Sequence, residues 1–227
     1  MSQNPDASPF NPLPPVIVAL AVVIIGIEAL FSLGARGLIG GPEAIGWRVN
    51  AIQNFGFINA IFDWMLTNRT WPAEGLVRLI TYPLIHMSFM HALFVVVILL
   101  AIGNMVASVF STLAILTLFF GSSISGAVIY GLLGEARGLL VGGYPAAYGL
   151  IGAYTFLLWV SLVATGGQQY RAFGLIGMLL AIQLVFGIFG GTRDWIADVA
   201  GFVTGFGLSF VVSPGGWQRV RAKMRGR

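Results

Sequence analysis

The chain has 227 residues, of which 57% are hydrophobic and only 9% are charged, and its mean hydropathy is +0.89. Soluble domains carry about 25% charged residues, so this composition excludes a soluble globular protein and indicates an integral membrane protein. The formal net charge is +4, and the absence of cysteine excludes disulfides, thiolate metal sites and a cysteine nucleophile.

The N-terminal part predicts a short cytoplasmic tail followed by a retained membrane helix. Residues 1–14 contain no Lys or Arg, and no small-residue cleavage site follows the next apolar run, so we expect no cleaved signal peptide. Residues 15–33 are apolar enough to cross a bilayer, which takes roughly 20 residues. Glu28 is their only charge, and because an intramembrane charge is costly, we expect it to face the bundle or a bound partner.

A long stretch of mixed polarity, residues 35–77, follows the first span. Its apolar positions 55, 58, 61, 62 and 65 fall on one helical face, which is typical of an amphipathic helix lying in the headgroup region. A loop packed on the other helices fits the pattern equally well. The stretch also carries aromatic side chains expected to be exposed, either as partner contacts or as an aromatic belt at the interface. They are Phe55, Phe57, Phe62, Trp64 and Trp71.

Five further apolar stretches complete a predicted single domain of six membrane-spanning helices, residues 15–213. They cover residues 79–104, 109–133, 139–164, 172–190 and 194–213. Six spans place both termini on one side of the membrane. The basic tail, residues 214–227, indicates that this side is the cytoplasm of a bacterial inner membrane. Since the tail is short and directly follows a membrane helix, we expect it to contact membrane lipids and not nucleic acid.

The two histidines of the chain, His86 and His91, both fall in the second predicted span. On one helix, residues five apart point about 140° away from each other, which argues against a shared metal. The alternative is that each ring hydrogen-bonds to backbone or water within the bundle. No stretch of the chain carries a cofactor signature, so we predict neither a metal nor a cofactor.

Small residues recur at close spacing in two of the predicted helices. Gly201 and Gly205 lie four residues apart in the last span, and Gly149 and Gly152 lie three apart in the fourth. Such spacing lets two membrane helices approach closely. Asp198 lies in the same last span, where an acid is a candidate functional residue by default.

Over about residues 70–213 these motifs resemble the rhomboid intramembrane proteases. In rhomboids an Arg precedes a His-x-x-x-x-His-x-x-x-Asn run, and the matching residues here are Arg78, His86, His91 and Val95. The resemblance implies that the later His and the Asn stabilise the oxyanion of peptide-bond cleavage. Val95 has no hydrogen-bond donor to offer, and losing one oxyanion donor typically costs about 10²–10³ in rate.

The same resemblance places other residues at the catalytic serine and histidine. Tyr144 stands at the serine, or Pro145 in a register shifted by one residue, and Asp198 stands at the histidine. A phenol with a pKa near 10 is a poor nucleophile, and proline has no reactive group. Proline in a first helical turn is instead a favourable helix start. For Asp198 we expect a buried protonated acid or a hydrogen bond to Tyr144 or His91.

The resemblance therefore predicts a rhomboid-like six-helix bundle that is not an enzyme. A bundle that lacks the catalytic residues can still bind other transmembrane helices. We expect it to act as an accessory subunit of a larger membrane complex or as an adaptor for client helices. The expected partners are membrane lipids and other integral membrane proteins.

Two alternatives remain open. The first is an active protease with a displaced nucleophile at Ser122, Ser123 or Ser125, although hydroxyls in membrane helices usually bond to backbone or to neighbouring helices. The second is a proton-coupled transporter using Glu28, His91 and Asp198. The chain shows no duplicated halves of the kind that many transporters have.

Overall fold

The computed structural model describes residues 13–135, 137–190 and 193–216, with the side chains of residues 183–190 left out. The two predicted tails, residues 1–14 and 214–227, lie outside the described residues apart from their inner ends. The basic residues of the C-terminal tail, on which the predicted orientation depends, are among those not described.

Helices make up most of the described chain, and two very short strands join them. The helices are α1 (Pro15–Ala35), α2 (Trp47–Phe55), α3 (Asn59–Asn68), α4 (Ala73–Thr81), α5 (Phe89–Ala107), α6 (Thr112–Leu133), α7 (Tyr144–Ala164), α8 (Gly174–Gly190) and α9 (Trp195–Val212). The strands are β1 (Phe57–Ile58) and β2 (Leu139–Leu140), which pair antiparallel. Three 3₁₀ turns cover Pro42–Gly46, Tyr82–Leu84 and Gln169–Phe173.

Five of these helices are long and apolar enough to cross a membrane, namely α1, α5, α6, α7 and α9. The membrane class predicted from composition is therefore confirmed. The predicted span at residues 172–190 corresponds to α8, whose described part has 17 residues and is not among these five helices. The count of six spans stays a prediction.

The second span begins later than predicted. Residues 79–81 end α4, and a 3₁₀ turn containing Pro83 separates them from α5, because proline has no N–H to continue a helix. The new helix starts after Ser88, whose hydroxyl accepts a hydrogen bond from the His91 N–H at 3.2 Å, as a good N-cap does. His86 consequently lies ahead of the helix, and the predicted placement of both histidines on one helix is wrong.

The first loop is neither one amphipathic helix nor an irregular loop. Helix α2 ends at Phe55, and β1 then places Phe57 opposite Leu140 and Ile58 opposite Leu139. The predicted helical face through residues 55–65 is thus interrupted by a strand, and only its second half lies on α3.

Buried aromatic and apolar side chains attach this loop to the bundle. They form a cluster of Phe57, Phe62, Met65, Tyr82, Ala127, Tyr130, Leu140 and Ala197. Phe57 and Phe62 are buried, so the expectation that they are exposed contacts is wrong. Phe55, Trp64 and Trp71 are exposed and remain available to lipid or to a partner.

Helix α7 lies at the centre of the bundle and packs most extensively against α9 and α6. Glycines let the backbones of α7 and α9 touch. A Cβ on Gly201 would collide with the carbonyl oxygen of Pro145, and one on Gly205 with that of Gly149. Gly152 contacts the carbonyl oxygen of Phe202 in the same way. This close approach brings the start of α9, with Asp198, against the start of α7.

Candidate functional site

The segment leading into α7 is shaped by two glycines. Gly142 has φ +96° and its N–H donates to the Tyr82 carbonyl at 2.9 Å. Only glycine adopts this conformation without strain, and a Cβ here would also collide with the His91 ring. The Gly143 N–H donates to Nε2 of His86 at 3.2 Å. Both backbone donors are therefore engaged by the turn before α5.

The two histidine rings lie against each other, although they leave the chain from different elements. Their centroids are 5.1 Å apart and the planes meet at 84°. The His91 ring then stacks on Tyr144, at 5.1 Å and 21°. The result is an aromatic column that runs from the buried turn before α5 to the first residue of α7.

His86 is a buried, neutral hydrogen-bond acceptor. Its side chain is 1% exposed, and burial together with the neighbouring His91 lowers its pKa to about 4. A neutral imidazole can accept the Gly143 N–H, whereas an imidazolium cannot. Within the described residues, no group of three or more His, Asp or Glu side chains is arranged to hold a metal ion.

A cavity of about 360 Å³ opens at the start of α7. Its lining consists of His91, Leu140, Val141, Tyr144, Pro145, Asp194 and Asp198. It thus brings together four positions singled out from the sequence: His91, Tyr144, Pro145 and Asp198. A second cavity of about 340 Å³ adjoins it, sharing His91, Val141 and Asp194, and its rim carries the exposed charges of Glu135, Arg137 and Arg193.

Two of the matched positions, Asp198 and Val95, are buried. Asp198 is 4% exposed and lines the cavity together with Tyr144. Val95 is 1% exposed and packs against Gly143, so the position of the rhomboid asparagine does face the same segment. The side chain there is hydrocarbon and offers no donor.

The serines proposed as displaced nucleophiles are not among the residues that line either cavity. Ser123 donates to the Phe119 carbonyl at 2.9 Å, and Ser125 accepts from the Thr204 hydroxyl at 2.6 Å. Ser122 is fully buried and packs against Gly149. The Ser123 and Ser125 hydroxyls therefore bond within the bundle, whereas the buried Ser122 Oγ has no hydrogen-bond partner among the described residues.

Glu28 faces the bundle and not a bound partner. Its carboxylate is buried and forms a two-pronged ion pair with Arg48, at 2.7 and 2.8 Å. Arg78, the cation matched to the rhomboid motif, donates to the carbonyls of Gln53 and Gly56, both at 2.8 Å. It therefore ties α4 to the end of α2 and does not reach the cavity.

Sequence reasoning missed Arg48, Val141 and Asp194. For Arg48 a signal existed, since a lone acid in a membrane helix needs a counter-ion. Val141 is brought to the cavity by the β1–β2 pairing, and Asp194 by the turn before α9. No local sequence motif at either residue predicts this position.

Residues 73–215 of the chain match the family model of the rhomboid domain. That range is more than half of the chain and includes every position compared above. A search of curated proteins gives no match.

Proposed function

The chain belongs to the rhomboid family, and we propose that it is a non-catalytic member that binds other transmembrane helices without cutting them. One observation carries the proposal. The cavity where the nucleophile and the general base of a rhomboid would stand is lined by Tyr144 and Asp198.

Peptide-bond cleavage needs a nucleophile, a base that activates it and donors for the oxyanion. The described cavity supplies a phenol, an imidazole and two carboxylates, from Asp194 and Asp198. Any carboxylate that is ionised would repel the negative charge that develops on the attacked carbonyl oxygen. This electrostatic environment opposes acyl transfer even if a weak nucleophile were present.

The packing of the bundle is independent of that chemistry. The glycine contacts between α7 and α9 and the cavity itself are in place. A protein with these parts can hold a client helix or serve as an accessory subunit of a larger membrane complex. In the proposal it resides in a bacterial inner membrane with both termini in the cytoplasm, among lipids and other integral membrane proteins.

The two competing functions receive less support. A displaced serine nucleophile would need access to substrate, and Ser122, Ser123 and Ser125 lie in helix contacts. A proton relay through Glu28 would need that carboxylate to release its pairing with Arg48, which is costly for a buried ion pair.

The test is a cleavage assay in proteoliposomes that contain the purified protein and a panel of single-span transmembrane substrates. We expect intact substrates by mass spectrometry and no labelling by a fluorophosphonate probe. Cleavage that disappears in a Ser122→Ala/Ser123→Ala/Ser125→Ala variant would establish the displaced nucleophile instead. Proton flux that disappears in Asp198→Asn would establish the transporter.

A further inference from the structure

We propose that Arg48 is a positioning residue for the cavity. Together with Glu28 it forms a clamp that fixes the main chain at His86 and, through the column of rings, the wall of the cavity at Tyr144. This coupling of the first loop to the cavity does not depend on what the cavity binds.

The clamp joins three elements at one guanidinium. Arg48 on α2 donates from Nη1 and Nη2 to the two carboxylate oxygens of Glu28 on α1. Nη1 also donates to the His86 carbonyl oxygen at 2.8 Å. On the other side, Glu28 accepts from the Ser32 hydroxyl at 2.8 Å, and the guanidinium lies 5.3 Å from the centroid of the Phe31 ring. These contacts fix the orientation of both the Arg48 guanidinium and the Glu28 carboxylate.

The path from the clamp to the cavity is short and continuous. The main chain of His86 is held by Arg48, and the His86 ring accepts the Gly143 N–H immediately before α7. The same ring abuts His91, which stacks on Tyr144. A shift of the His86 segment therefore moves either the start of α7 or the imidazole that lines the cavity.

The role requires arginine specifically. A planar guanidinium can grip a carboxylate with two parallel hydrogen bonds and still donate to a carbonyl. A carboxylate at position 48 could restore an ion pair with a cation at position 28, but it could not donate to the His86 carbonyl. Exchanging the two charges therefore tests whether the ion pair alone is sufficient, or whether the hydrogen bond from position 48 to the His86 carbonyl is also needed.

Access to the cavity can be measured with a single introduced thiol, because the chain contains no cysteine. Val141→Cys places the thiol in the cavity lining, and the rate of its reaction with a polar maleimide reports how open the cavity is. Leu38→Cys, at a site that is 66% exposed, corrects for changes in the reagent or the micelle. The variants are Arg48→Met, Arg48→Lys and Glu28→Arg/Arg48→Glu, and the matched control is Arg69→Met, which removes an exposed cation of the same loop.

We expect Arg48→Met to raise the corrected labelling rate about ten-fold, the size that the loss of one charge-assisted hydrogen bond allows. Arg48→Lys should give a smaller rise, and it serves as the decisive single variant if Arg48→Met does not fold. The charge exchange should recover thermal stability while its labelling rate stays raised. Rates equal to that of Arg69→Met, or a charge exchange that restores both properties, would overturn the proposal.

Discussion

At the scale of single residues, the site is distinguished by which groups are buried and in what state. In the proposed correspondence with rhomboid proteases, Tyr144 places a phenol at the position of the serine hydroxyl, and Asp198 places a carboxylate at the position of the histidine imidazole. His86 is held neutral by burial so that it can accept the Gly143 N–H. In the proposal, the first two substitutions remove the nucleophile and the base, whereas His86 holds the segment that leads into α7.

The neutral state of His86 makes the stability of the protein pH-dependent. The native pKa is about 4 and the unfolded pKa about 6.5, so between these values the unfolded chain binds more protons. The contribution of His86 to the free energy of unfolding is fully present above pH 6.5. It is lost as the pH falls toward 4, by up to about 3 kcal/mol. Unfolding in mixed micelles between pH 7.5 and 4.5 should show this loss in the wild type and a flatter profile in His86→Asn. Parallel profiles would contradict the assignment.

At the scale of elements, the contact of α7 with α9 positions the cavity. Gly201 and Gly205 allow the backbones to touch at Pro145 and Gly149, and without that contact Asp198 would not lie beside Tyr144. In a bundle surrounded by lipid, such close packing replaces the hydrophobic driving force that joins helices in water.

Two glycines of α9 provide a matched pair for testing this contact. A Cβ at Gly205 would collide with the Gly149 backbone, whereas one at Gly207 meets nothing within 4 Å. Gly205→Ala should therefore destabilise the protein by about 1–3 kcal/mol, as overpacking does, while Gly207→Ala should be neutral or slightly stabilising. Thermal unfolding of both variants measures the difference. Equal changes in stability for the two variants would contradict this prediction, because they would show that α7 and α9 can move apart without a loss of stability.

Sequence patterns predicted long apolar helices better than the elements between them. The span at residues 15–33 matches α1 closely, because hydropathy reads such helices directly. The predicted span began at residue 79, whereas α5 begins at Phe89. Pro83 and Ser88 are typical of a helix break and a helix start, but a hydropathy average over this stretch does not resolve them. The two-residue strands and the pairing of Arg48 with Glu28 depend on contacts between distant residues, which no local pattern encodes.

At the scale of the whole molecule, the number of spans decides the topology. If α8 crosses the membrane, the protein has six spans and both tails lie on the same side. If it does not, the tails lie on opposite sides.

Single cysteines in the two tails can distinguish these arrangements. We predict that Ser2→Cys and Arg225→Cys are both protected from an impermeant maleimide in right-side-out spheroplasts, and that both react after permeabilisation. Labelling of only one tail in intact spheroplasts would reduce the count to five spans.

Photocrosslinking from the cavity tests most directly whether the protein binds transmembrane helices without cutting them. Tyr144 is replaced by a benzophenone-bearing phenylalanine in native membranes, with Leu113, which is 74% exposed on α6, as the control position. We predict intact transmembrane polypeptides captured at position 144 and not at position 113, identified by mass spectrometry of the crosslinked species. Captured fragments ending at a new terminus within a transmembrane segment would show cleavage and contradict the proposal, as would capture of lipid alone.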